Sequence, residues 1–254
     1  MQQLKSFCIA WVSAFILMAC TNSSAKNEYK DGVSLATGSD MYYEYAITST
    51  GKNINMNGYT KMYLSSKGDA RVEMKMLNSA FQGNISSPLV IIGSINKPNE
   101  SISIDDDKKT YTINHIDRDS LKSPEKMQSV VAKMGEEKLL GFNCVHARII
   151  SNKRLGSFYK NTDTFDIWRS NDIPVQENFI ELMKRFESQT GNFMNSTDVV
   201  TQLKQMGCDG FMVKLKMRMK NVSMTDELTK AEHKDFPTGI FKIPAGYKEI
   251  KNDF

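Results

Sequence analysis

The sequence predicts a mainly β fold of the α+β class, an antiparallel sheet with two or three helices over its apolar side. Three observations carry this. From Val213 onward the stretch 212–220 alternates strictly: Val213, Leu215, Met217 and Met219 fall on one strand face, and Lys214, Lys216, Arg218 and Lys220 on the other. The stretch 71–76 repeats the pattern, with Val72, Met74 and Met76 set between Arg71, Glu73 and Lys75. Two late segments carry one-sided helical stripes, and a one-sided helix must lie on something apolar.

Taken in order, the first predicted strands are 41–49 and 59–66, separated by a Gly/Asn-rich turn. A tight turn at Lys67-Gly68-Asp69 leads into the alternating strand at 71–76. The run LVIIGSI (89–95), apolar without alternation over its first four residues, has the pattern of a strand buried on both faces, and 101–114 forms two short strands about an acidic-basic turn. The segment 123–135 predicts a short helix. Ser123 serves as cap, Pro124 as first residue and Gly135 as stop, with Met127, Val130, Val131 and Met134 at helical spacing. A hairpin pivoting near Gly141 spans 137–150, and 158–170 adds a strand. The helical pair is 174–191, with Val175, Phe179, Ile180, Leu182, Met183 and Phe186 on its stripe, and 196–207, with Val199, Val200, Leu203 and Met206. The strand at 222–234 returns beside 212–220, and 236–250 closes the domain.

The N-terminus predicts the compartment. A single cation, Lys5, precedes an apolar run from Phe7 to Met18, which has the length of a signal h-region and is short for a membrane span. It ends in Leu17-Met18-Ala19-Cys20, which resembles a bacterial lipobox. That resemblance implies removal of residues 1–19 and diacylation of Cys20 with palmitate-type chains. Residues 20–40, polar and poor in large apolar side chains, read as a lipidated flexible tether, and 41–254 as a single β-rich domain. The expected location is the cell envelope, lipid-anchored in the outer membrane and facing the periplasm.

The charge balance is mild, 33 Lys+Arg against 29 Asp+Glu, which argues against a nucleic-acid partner. Cys144 and Cys208 remain as an even pair in a compartment that permits disulfides, so a Cys144–Cys208 bridge is expected. Their spacing fits no metal motif.

The stretches 61–74, 108–113, 137–144, 165–170 and 241–247 (the last reading FKIPAGY) together resemble an uncharacterised family of Gram-negative lipoproteins, a DUF4412-like domain of unknown function. More loosely, the pattern is similar to the LolA/LolB-like lipoprotein-carrier fold. The resemblance implies a strongly curved antiparallel half-barrel whose open apolar side is plugged by helices. It transfers no catalytic residue.

Chemistry-bearing motifs are sparse. His115, His146 and His233 form no ligand-spaced pair, and no metal or cofactor is expected. Asp105, Asp106 and Asp107 lack the following Gly and distal Glu of a calcium loop and read as a charged turn balanced by Lys108 and Lys109. Cys144 and His146, two apart on a strand, do not by spacing alone make a nucleophile and its base.

Methionine is the stronger signal: the chain holds 16, several on strand faces beside Val and Leu. Flexible, polarizable thioethers suit surfaces that take variable apolar partners. Val72, Met74, Met76, Val213, Leu215, Met217 and Met219 are therefore the candidate ligand-lining residues. Lys214, Lys216, Arg218 and Lys220 are the candidate membrane-facing residues, with Glu227 and Glu232 as neutralising neighbours. The expectation is a non-catalytic, membrane-anchored envelope lipoprotein that binds a lipid, lipoprotein acyl chain or other apolar ligand. The alternative is an envelope protein-interaction module with a closed core.

Overall fold

The computed structural model describes residues 40–51, 54–77, 87–97, 99–115, 128–155, 159–173, 197–219, 221–237 and 239–251. The expected signal peptide and tether, with Cys20, lie outside the described residues apart from Asp40.

The described strands are β1 (Met41–Gly51), β2 (Ile54–Leu64), β3 (Asp69–Leu77), β4 (Leu89–Ser94), β5 (Glu100–Asp105), β6 (Thr110–His115), β7 (Gln128–Leu139), β8 (Phe142–Leu155), β9 (Tyr159–Ser170), β10 (Phe211–Met219), β11 (Val222–His233) and β12 (Lys248–Glu249). They form one curved, open, 12-stranded sheet in the order β12-β6-β5-β4-β3-β2-β1-β11-β10-β9-β8-β7. Pairing is antiparallel except where β12 lies parallel to β6. The expected antiparallel sheet is therefore present.

One described helix, α1 (Thr197–Gln205), is where the second stripe predicted it. Its end follows from local chemistry. Gly207 takes φ +69°, a conformation a side chain would strain. The Cys208 N–H then reaches Leu203 O at 2.8 Å and the Gly207 N–H reaches Lys204 O at 3.0 Å, the paired bonds of a Schellman stop. Helix α1 packs on β7 and brings Val199 and Leu203 into the main core.

The other helical expectations need correction. The described part of 123–135 is strand, the start of β7. Val131 faces Ile149 of β8 and is buried, whereas Val130 and Met134 are exposed. A bulge between Lys133 and Gly135 shifts the register, so apolar residues three and four apart mimic a helical stripe without sharing a face. The segment 174–191 lies outside the described residues. Two or three helices over the sheet are thus not borne out.

The hairpin expected at Gly141 is present: Leu140 and Gly141 both have positive φ, as a tight two-residue β7–β8 turn requires.

The sheet has two unlike faces. The inner face carries the main core, with Tyr43, Ile47, Met62, Val72, Met74, Ile149, Phe165, Ile167, Leu215, Met217 and Met224 all buried. The outer face of β2–β5 is crossed by residues 234–237 and 239–250. Phe236 meets the Tyr63 ring edge-on at 5.5 Å, Phe241 packs on Phe236, and Arg71 Nη1 donates to Ile240 O. Pro244-Ala245-Gly246 then turns, with Gly246 at φ +85°. Tyr247 comes down on the small outer cluster of Val90, Ile92 and Ile104. This covering explains why residues 89–92 are apolar without alternation: Leu89 and Ile91 face inward, Val90 and Ile92 face the crossing segment.

Candidate functional site

Register places the predicted lining residues on one surface. Val72 and Met74 pair through Met62 and Thr60 of β2 with Tyr43 and Tyr45 of β1. Leu215 and Met217 pair with Asp226 and Met224 of β11, which in turn face Ile47 and Ser49 of β1. Because side chains alternate, all of these lie on the inner face. One row across the sheet reads Met56, Ser49, Met224, Met217, Phe165, Ile149, Val131. The next reads Met76, Gly58, Ile47, Asp226, Leu215, Ile167, Ala147. Val72, Met74, Val213, Leu215 and Met217 are buried, and Met76 and Met219 are partly so. Sequence reasoning missed Met56, Met62 and Met224, which belong to the same surface.

Val213 sits at a bulge between Met212 and Lys214, where β10 slips against β9. A bulge leaves ladder groups without strand partners. Here the Tyr45 hydroxyl donates to the Met212 carbonyl at 2.8 Å, and Phe211 stacks on Tyr43 with ring centroids 4.5 Å apart.

The inner face also holds a group that sequence reasoning passed over. Asp226 is 0% exposed, and neither carboxyl oxygen has a hydrogen-bond partner among the described residues. Its cross-strand neighbours are Ile47 and Leu215. Burial pushes this carboxyl well above the usual carboxylate range. The signal was present in the alternation Val222, Met224, Asp226, Leu228, where an acid occupies an apolar register.

The outer face of β8–β10 is polar. Asp166, 2% exposed, accepts from Arg148 Nε at 2.6 Å and Arg218 Nη2 at 2.7 Å, with His146 Nε2 at 3.3 Å. Burial alone would raise its carboxyl, but the hydrogen bonds from Arg148, His146 and Arg218 hold it below the usual value. The His146 ring stacks on Trp168 at 4.1 Å, and Trp168 Nε1 donates to Glu137. Lys214 bridges to Glu227 at 3.2 Å and lies over the Trp168 ring.

The basic stripe is therefore not a row of free cations. Lys214 has the expected partner Glu227, but Glu232 bridges to Lys230 instead, and Arg218 is held by Asp166. Lys216 is half-buried, and Lys220 lies outside the described residues.

Cys144 and Cys208 are both free and buried, so the expected bridge is absent from the structure. The Cys144 thiol points to Phe142 O and the Cys208 thiol to Val145 O, at 3.6 and 3.5 Å. Burial raises both thiols to about 11, which keeps them as unreactive S–H groups at neutral pH. Cys144 and His146 are not brought together as nucleophile and base, since His146 is directed to Asp166. In the acidic turn, Asp105 takes Lys108, Asp106 takes Tyr247 and Asp107 takes Ser87. Each carboxylate has its own partner.

A family model, the domain of unknown function DUF4412, matches residues 46–247. No curated protein matches the chain in sequence. Among solved structures, the chain is similar to the lipoprotein LppX of Mycobacterium tuberculosis, at 11% identity and TM-score 0.36, covering 77% of this chain and 88% of that one. It is similar to LprF of Mycobacterium bovis, at 7% identity and TM-score 0.35, over 96% of this chain and 97% of that one. A LolA superfamily protein of Nitrosomonas europaea aligns at 7% identity and TM-score 0.32, over 81% of this chain and 90% of that one. At TM-scores this low, any functional reading rests on this chain's own residues.

Proposed function

We propose, for a chain that belongs to the DUF4412 family, a non-catalytic role as an envelope lipoprotein that binds a lipid or lipoprotein acyl chain on its inner face. The supporting observation is a methionine-rich row across four adjacent central strands, β2, β1, β11 and β10: Met56, Met224 and Met217, interrupted on β1 by Ser49, with Met62, Met74 and Met76 beside them. Such side chains adapt to acyl chains of different length and unsaturation. The lipobox-like Leu17-Met18-Ala19-Cys20 supports anchoring through Cys20, with the domain on the periplasmic side of the outer membrane. Native mass spectrometry of the full chain after gentle extraction tests the reading. Co-purified lipid bound in a fixed ratio is the expected result, and a lipid-free protein that takes up no added acyl chain would overturn it. Fatty-acid labelling of wild type but not of Cys20→Ala is expected for the anchor.

A second reading, an interaction module for another envelope protein, is favoured by one feature. Strand β7, which is the sheet edge among the described residues, exposes Val130 and Met134, and Ile150 opposite Val130 is exposed too. An unpaired apolar edge is a place where a partner strand can add.

A further inference from the structure

Three buried side-chain oxygens without hydrogen-bond partners among the described residues lie on adjacent strands of the inner face: both oxygens of Asp226, and Ser49 Oγ. Ile47 faces Asp226 across β1 and β11, and Ser49 faces Met224, so Ser49 is the diagonal neighbour of Asp226. Diagonal neighbours on one sheet face are about 7 Å apart at the backbone, a span one small polar group bridges. Thr60 Oγ1 is a further unpartnered oxygen on the same face, separated from Asp226 by the Tyr45 and Ile47 strand.

The surroundings limit what these groups can hold. The residues directly across from Asp226 and next on its own face are Ile47, Leu215, Met224 and Leu228, all apolar. The one other polar group beside it among the described residues, the phenol of the diagonal neighbour Tyr45, donates its O–H to Met212 O. An anionic head placed there would be desolvated with no cation in register. A cationic head would require Asp226 to ionise and a full ion pair to be desolvated, which rarely gains on its own cost. An uncharged hydroxyl avoids both. The neutral carboxyl offers one O–H donor and one acceptor, and the serine hydroxyl offers the same.

We propose that Asp226 and Ser49 together bind the uncharged, hydroxyl-bearing head of an amphiphile whose chain lies along the methionine-rich inner face. This rests on the ligand-binding reading above and adds the head-group class to it. The row Met56, Ser49, Met224, Met217 then has a function for its one polar member: Ser49 marks where head gives way to chain.

The test uses the full chain in non-ionic detergent and three photo-crosslinking probes with one common acyl-length chain. Their heads are a primary alcohol, a carboxylate and an ammonium. Labelling is mapped to inner-face strands by peptide mass spectrometry. Wild type should favour the alcohol probe by roughly tenfold, the scale of one or two hydrogen bonds lost from a buried site. Asp226→Asn keeps a neutral donor and acceptor and should retain the preference. Asp226→Leu should still be labelled but without preference among heads. Ser49→Ala should reduce the preference in part. If wild type labels equally with all three probes, or favours the ammonium probe, the proposal falls while the ligand-binding reading stands. An unchanged preference in Asp226→Leu also overturns it. If no probe labels wild type, the ligand-binding reading fails and takes this proposal with it.

Discussion

Asp166 and Asp226 lie on strands separated only by β10, on opposite faces of one sheet, and both are almost fully buried. On the outer face, two guanidiniums and an imidazole surround Asp166, and its carboxyl is held as an anion. On the inner face, Asp226 meets apolar side chains and the Tyr45 phenol, whose O–H is donated elsewhere, and burial pushes its carboxyl toward the neutral acid. Both carboxyls are closed to solvent, but Asp166 lies shallow under partly exposed arginines and Asp226 lies deep, so depth and the supply of partners differ together. A buried acid with partners is a structural tie. One without is either a defect or a site.

Breaking the outer arrangement should have the largest effect. Asp166→Ala leaves Arg148, Arg218 and His146 facing one another with no counter-charge. It should destabilise by about 3 kcal/mol, less than a wholly buried pair because both arginines are partly solvated. Urea unfolding measures this, and a change under about 1 kcal/mol would make the cluster a surface ornament.

Removing the inner acid should act in the opposite direction. Asp226→Val adds little volume and relieves an unpartnered buried carboxyl, so stability at neutral pH should rise by about 2 kcal/mol. A destabilised variant would mean that Asp226 has a partner within the folded chain.

The pH profile sharpens the comparison. Asp226 has a raised value when folded, so between the unfolded value of about 3.9 and the folded value the native state holds the extra proton. Its contribution is complete below about pH 4 and declines by up to about 1.4 kcal/mol per unit as pH rises, until the folded value is passed. Asp166 has a lowered value, so its contribution is present above about pH 4 and is lost as pH falls toward the folded value. Stability measured against pH should therefore flatten on the alkaline side in Asp226→Asn and on the acid side in Asp166→Asn.

Two conservative changes should matter least. Met217→Leu on the inner face keeps volume and should cost about 1 kcal/mol or less in thermal unfolding while altering acyl-chain preference. Lys216→Gln on the outer face should change stability by no more than about 0.5 kcal/mol. Replacing Arg218 instead should be clearly worse, because Arg218 holds Asp166.

The alternation of β3 and β10 was legible because a period of two needs no partner to be recognised. The stop of α1 was legible for the same reason: Gly207 is a local signal. The start of β7 was misread because a bulge imitates helical spacing, and bulges are fixed by the neighbouring strand. The Asp166 cluster was hidden because its four members come from β8, β9 and β10, and only register brings them together. Asp226 was visible as an acid in an apolar series, but its neighbours on β1 and β10 decide that it is unpartnered.

The crossing segment has a consequence for how the molecule is made. Strand β1 is an interior strand only once β11 is beside it, nearly two hundred positions later in the chain. Val90, Ile92 and Ile104 are covered only when Tyr247 arrives. During synthesis the first six strands thus emerge with an unfinished flank and an apolar outer patch, and must wait for the last residues. Pairings so far apart in sequence are slow to close. The interval between making β6 and delivering residue 247 is the period in which this chain is most exposed to aggregation and most dependent on an escort.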